Sequence, residues 1–161
     1  MKTIPYVKAN VKKVDLNDIY NGSAHALRLL DENIIEVVKV EAPITLNLLK
    51  ARLREAFDLA KISQKALDII NERIKKLGYK TTDNLYDKVL WPTTGVFDID
   101  YLRVSYPRLI YDIPYQELKN LVKEIGKSGE ELYRGILAYF GFEVLTKKAK
   151  DYLVFIEKKS K

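Results

Sequence analysis

Ile62-Ser63-Gln64-Lys65-Ala66-Leu67-Asp68-Ile69-Ile70-Asn71-Glu72-Arg73-Ile74-Lys75-Lys76-Leu77-Gly78 is the stretch that decides the fold. Ile62, Ala66, Ile69, Ile70, Ile74 and Leu77 recur at three- and four-residue intervals, which gathers them on one side of a helix. Ser63 is a candidate N-cap, because its hydroxyl can accept from a backbone N–H left over in the first turn. Gly78 is placed to end the helix, since glycine enters the left-handed region without a steric penalty. The opposite side carries Gln64, Lys65, Asp68, Asn71, Glu72, Lys75 and Lys76. The segment therefore reads as an amphipathic helix with a core side and a water side.

Upstream, Ala24 to Val40 has the same character, with Leu27, Leu30, Ile34, Val37 and Val38 near one face. Glu41-Ala42-Pro43 breaks it, because the residue before a proline is pushed away from helical geometry. Thr45 then caps a second helical pattern made by Leu46, Leu49, Leu53, Ala56 and Phe57. Asn21-Gly22-Ser23 marks a loop, and Thr3 to Val14 reads as an extended arm. Pro5 confines that arm to a sheet edge, since it has no N–H to give to a ladder.

Downstream, Tyr86 to Trp91 is rich in strand formers and stops at Pro92. Thr93-Thr94-Gly95 reads as a turn, and Val96, Phe97, Ile99, Tyr101, Leu102 and Val104 as a second extended segment. Three helices followed by a β ribbon is the order of a winged helix. Three further helices close the chain: one from Pro114 to about Ile125, one after Ser128 with Glu131 in a capping box, and one opened by Thr146. Gly141 is a C′ candidate between the last two. The expected fold is mainly α (α+β): a winged-helix-like three-helix core with a short β ribbon, then a C-terminal three-helix group. No repeat or low-complexity linker interrupts it. We read residues 1–161 as one domain, with an N-terminal arm (1–23), a helix-turn-helix core and wing (24–110) and C-terminal helices (111–161).

At 161 residues, 47% hydrophobic and 31% charged, the chain can bury a core without disulfides or metal. It has no cysteine, which excludes Cys-ligated zinc and thiol nucleophiles. The first residues lack an apolar core of signal length, and no apolar run approaches a membrane span. A cytoplasmic protein is expected, with no membrane partner and no small-molecule cofactor. The net charge of +6 and pI of about 9.3 favour phosphate backbones or acidic surfaces.

Glu41-Ala42-Pro43-Ile44 with Leu49 and Arg52 forms an E-x-P-I … L … R pattern. Leu90-Trp91-Pro92, an arginine in an extended stretch, Ile113-Pro114 with Glu117, Glu131-Leu132 and Phe140-Gly141-Phe142 follow in order. From about Asp31 to Ile156 this series resembles family 3320 of the domains of unknown function. Those domains lie at the C-terminal end of large superfamily 1 helicase-like proteins. The resemblance implies a non-catalytic accessory domain with DNA and the helicase motor domain as its partners. The motor itself is not in this chain.

Several constellations imitate catalytic motifs. Gly126-Lys127-Ser128 looks like the end of a phosphate-binding loop, but the position that needs a glycine is Leu121, on an amphipathic helix. A C-cap glycine followed by an N-cap serine is the plainer reading. Glu117-Leu118-Lys119 with Asp112 matches a fragment of metal-dependent nucleases, yet on a helix residues two apart do not face each other. Asp98 and Asp100 in Phe97-Asp98-Ile99-Asp100-Tyr101-Leu102-Arg103 sit on one side of a predicted strand, with Phe97 and Ile99 inward. His25 is the only histidine, and one histidine without cysteine makes no metal site.

The nucleic-acid candidates cluster around the opening stretch: Lys61, Gln64, Lys65, Asn71, Lys75 and Lys76 on or before the third helix, and Lys80 and Lys88 at the wing. Side chains on such a helix meet base edges while flanking lysines meet phosphates. Asp68 and Glu72 on the same surface oppose this, and the water side lacks the arginine that reads guanine. Arg52 reads as a structural ion pair with Glu41 or Glu55, and Trp91 as a packing residue. Tyr101, Tyr106, Tyr111 and Tyr115 are aromatics with a polar tip, a type favoured at interfaces. They support the alternative, a protein-interaction or intramolecular docking module that binds no nucleic acid.

Overall fold

The computed structural model describes residues 1–93 and 95–161; the expected turn at Thr93-Thr94-Gly95 falls partly on Thr94, outside the described residues. The fold is mainly α with small sheets, an α+β arrangement. In chain order the elements are β1 (Lys2–Pro5), α1 (Leu16–Tyr20), α2 (Ala24–Glu41), β2 (Ile44–Thr45), α3 (Leu46–Phe57), α4 (Gln64–Lys76), β3 (Lys80–Asn84), β4 (Asp87–Trp91), β5 (Tyr101–Val104), α5 (Tyr115–Ile125), α6 (Gly129–Tyr139) and α7 (Lys147–Lys159). The chain divides into two compact units: Met1–Tyr6 with Asp83–Lys88 and Val96–Lys161, and Val7–Thr82 with Val89–Gly95. No shift of composition marks this division along the sequence.

The helical unit from Val7 is built on α2, α3 and α4. Each helix begins on a hydroxyl cap. Ser23 accepts from the Ala26 N–H at 3.1 Å, Thr45 from Leu48 at 3.2 Å and Ser63 from Ala66 at 3.2 Å. The left-handed cap at Asp58 (φ 56°) stops α3, and Gly78 (φ 80°) follows the last turn of α4. Leu30, Ile34, Val37, Leu49, Leu53 and Ile70 are fully buried and form the core, which is the apolar stripe expected of each helix. β2 pairs antiparallel with β4 (Ile44 opposite Leu90, Thr45 opposite Val89), and the sheet order is β2-β4-β3. Trp91 is buried and its indole N–H donates to Thr82 Oγ1 at 2.9 Å. The short helix α1 lies inside the expected arm; its five residues are too few to show a period.

The other unit joins β1 and β5 in a two-stranded parallel sheet, with Lys2 opposite Tyr101 and Pro5 opposite Val104. Such a pair consists only of edges, which is why proline is tolerated there. α5, α6 and α7 enclose a core that includes Leu102, Ile113, Leu118, Leu121, Ile136, Tyr152, Leu153 and Ile156. The buried Tyr152 hydroxyl accepts from Asn84 Nδ2 at 2.9 Å and donates to the Ile113 carbonyl. Asn84 in turn accepts from the Tyr115 N–H at 3.3 Å.

Three local expectations change. Pro114 is the N-cap of α5 and not its first helical residue. Ser128 precedes α6, but its side chain caps nothing, so the Ser128–Glu131 capping box does not form. The Gly129 N–H goes instead to Glu157 Oε2 at 3.0 Å, a carboxylate from α7 that sequence spacing could not foresee. The strand expected from Val96 is confined to Tyr101–Val104, and Phe97 is 45% exposed, so it does not point inward. Asp98 there accepts from the Ile99 N–H, a local bond that competes with a ladder, and pairs with Lys119 of α5.

Candidate nucleic-acid interface

α4 buries Ala66, Ile70 and Ile74 and leaves the polar side open. Lys61, Gln64, Lys65, Asn71, Lys75, Lys76 and Lys80 are all exposed and belong to one unit. Lys88 is exposed too, but it falls in the other unit, where it pairs with Asp83 at 3.2 Å. The expected set therefore divides into seven residues of the helical unit and Lys88 of the other unit.

Within the seven, neighbours already engage some groups. Gln64 Nε2 donates to Asp68 Oδ1 at 2.8 Å, one turn on. Lys76 Nζ lies 3.2 Å from Glu72, an exposed pair that solvent weakens. Lys65 Nζ lies 4.2 Å from the centre of the Tyr20 ring, a cation–π contact that fixes its direction. Arg73 turns away: its guanidinium grips Asp31 at 2.8 and 2.7 Å, and this bond holds its proton more tightly than usual. Among the exposed residues from Lys61 to Lys80, five lysines stand against Asp68 and Glu72. The surface is net positive and carries amide side chains at Gln64 and Asn71, a make-up suited to phosphate contacts with limited base reading.

The imitations of catalytic motifs separate in space or are spent. Gly126 is the left-handed cap of α5 (φ 66°), as its place after an amphipathic helix suggests. Lys119 pairs with Asp98, while Glu117 is buried against two arginines. Among the described residues no group of three or more His, Asp or Glu side chains converges as a metal site. His25 is exposed on α2. No helix is long and apolar enough to cross a membrane.

Arg52 chooses Glu41 over Glu55. Its Nε and Nη2 donate to Glu41 Oε2 and Oε1, both at 2.8 Å, and both residues are buried. Glu41 Oε2 also accepts from the Ala9 N–H at 3.1 Å, while Glu55 takes Lys8 at 2.8 Å. A second buried cluster was not foreseen. Glu117, fully buried, accepts from Arg103 (Nη2 to Oε2, 2.8 Å) and from Arg108 (Nη1 to Oε2, 2.8 Å; Nη2 to Oε1, 3.0 Å). Burial pushes the Glu117 carboxyl up, but the bonds and charges of Arg108 and Arg103 outweigh it and hold the carboxyl below the usual range. Both guanidiniums also lie over the Tyr6 ring, at 4.8 and 4.6 Å. The three members come from β5, the loop after it and α5, so no single helical or strand period announces them.

Compared with protein-family models, with curated proteins and with solved structures, the chain matches none.

Proposed function

We propose that this chain is a non-catalytic accessory domain of a helicase-like protein, acting in the cytoplasm and binding DNA through the exposed side of α4. The observation that carries the reading is the lysine-bearing surface from Lys61 to Lys80. The order α2-β2-α3-α4-β3-β4, with β2 joining β4 in the sheet, supports a winged-helix assignment in which α4 takes the place of the recognition helix. The resemblance to family 3320 of the domains of unknown function supplies the helicase context. Duplex binding of this kind releases counterions, so log K falls with log salt by about 0.9 per phosphate neutralised.

The test is fluorescence anisotropy with a short labelled duplex at low and moderate salt. Binding that weakens steeply with salt, and that is lost in Lys75→Glu/Lys76→Glu, is the expected result. Absence of binding at low salt rejects the proposal. The second reading, a docking module for the motor domain, is favoured by the exposed Leu109, Tyr139 and Val144 at 52, 45 and 69%. Capture of the motor region by a chain that ignores DNA selects it.

A further inference from the structure

In the unit that holds α5, α6 and α7, a cleft of about 480 Å³ opens beside the buried arginines. Its size is that of a small-ligand site. We propose that it binds a compact anion carrying an aromatic ring, the charge meeting the arginines and the ring lying against the aromatic residues.

Three observations converge on that chemistry. Arg103 and Arg108 line the cleft and share a carboxylate, Glu117, so this triad carries one positive charge more than it carries negative. Arg108 spends Nη1 and Nη2 on Glu117 and on the Arg103 carbonyl, and its Nε–H makes no bond among the described residues. A guanidinium held rigidly by its own carboxylate, with a donor to spare, is pre-organised for an oxyanion. Tyr139, Phe140 and Phe142 also line the cleft. The Tyr139 and Phe140 rings meet edge to face at 5.1 Å, and Tyr139 remains 45% exposed. An aromatic wall open to water is the partner of a planar ring. The third observation is the rim. Ser105, which also lines the cleft, holds φ at 69°, a left-handed conformation that a residue with a Cβ seldom adopts. Such strain gathers at ligand sites. Packing alone does not account for the set, because apolar residues fill a core at least as well as buried ions do.

The experiment is an amide-resolved NMR titration of the full chain with phenyl phosphate. Phenol and inorganic phosphate are the single-feature controls. Saturable shifts centred on residues 103–108 and 139–142 are expected, with either control at least ten-fold weaker. Tyr139→Ala, on the exposed rim, should keep the spectrum of a folded chain and weaken phenyl phosphate at least five-fold. Arg108→Lys serves as a second variant and should weaken it further. Phenylacetate tells a carboxylate source from a phosphate source: preference for either supports the cleft and names the anion. Phenol binding as tightly as phenyl phosphate, shifts scattered over surface lysines, no saturable response, or Tyr139→Ala binding like the parent chain each overturn the proposal. Failure of α4 to bind duplex leaves this inference standing, since the two use different residues.

Discussion

Each unit buries one carboxylate against arginine, and the two arrangements differ in a way that separates scaffold from site. Glu41 is matched one to one by Arg52, in a bidentate fork, and its Oε2 also takes the Ala9 N–H, tying residue 9 to α2 and α3. Charge balances within the pair, and neither residue lines the cleft beside Arg103 and Arg108. Glu117 is matched two to one, by Arg103 and Arg108, which line an open cleft together with aromatic residues. Buried ion pairs add little stability over apolar packing, but removing one partner strands the other. A closed pair is thus a geometric clamp, whereas an over-matched carboxylate beside a cavity leaves cationic character for something else to use.

The sharpest way to test that contrast is to remove the carboxylates. Glu117→Ala strands two guanidiniums and should cost the most, toward about 5 kcal/mol, whereas Glu41→Ala strands one and should cost about 3 kcal/mol. Urea unfolding followed by hydrogen exchange reads both losses; equal costs would erase the distinction. The replacement of Glu41 and Arg52 together by Leu and Met should recover most of the loss, because a balanced pair is replaceable by apolar volume.

Acid tests the same difference through protonation. The folded Glu117 carboxyl titrates below its unfolded value of about 4.3. Its contribution is therefore complete above that pH and disappears as pH falls through the lower folded value. Acid unfolding by circular dichroism should lose this component in Glu117→Gln, so the variant's stability changes less between pH 5 and 3.

A smaller effect belongs to a carboxylate held by neutral donors. Glu157 takes the Tyr133 hydroxyl at 2.7 Å and the Gly129 N–H, which keep it below the usual range. Burial and that bond push the Tyr133 hydroxyl up to about 12. Tyr133→Phe should cost about 1 kcal/mol, the usual net worth of one hydrogen bond. The smallest effect on stability is expected at α4: Lys75→Glu/Lys76→Glu should stay within about 0.5 kcal/mol, since both residues are exposed. A large loss in thermal unfolding would place these lysines in the scaffold.

Much of the helical framework was legible from residue order. Thr45, Ser63 and Thr146 flank apolar stripes, and a hydroxyl before a stripe acts within one turn, whereas Ser23, read only as part of a loop, caps α2 as well. Ser128 misled because the chain offered Gly129 a better partner from α7. The exposed side of α4 was also readable, because an amphipathic period names both faces at once. Phe97 was not, since alternation continued past the point where Asp98 turned to local bonds.

The sequence by itself determined the longer helices, the hydroxyl caps at Thr45, Ser63 and Thr146, the mainly α class and the basic outer side of α4. These follow from interactions that span four residues or fewer. Only the tertiary structure decided which carboxylate each arginine would meet, that β1 would lie parallel to β5, and that Arg103 and Arg108 would line one cleft with Tyr139 and Phe142. Those outcomes depend on contacts between different elements of the fold, and a charge pattern along a strand or helix carries no record of the partner that folding brings to it.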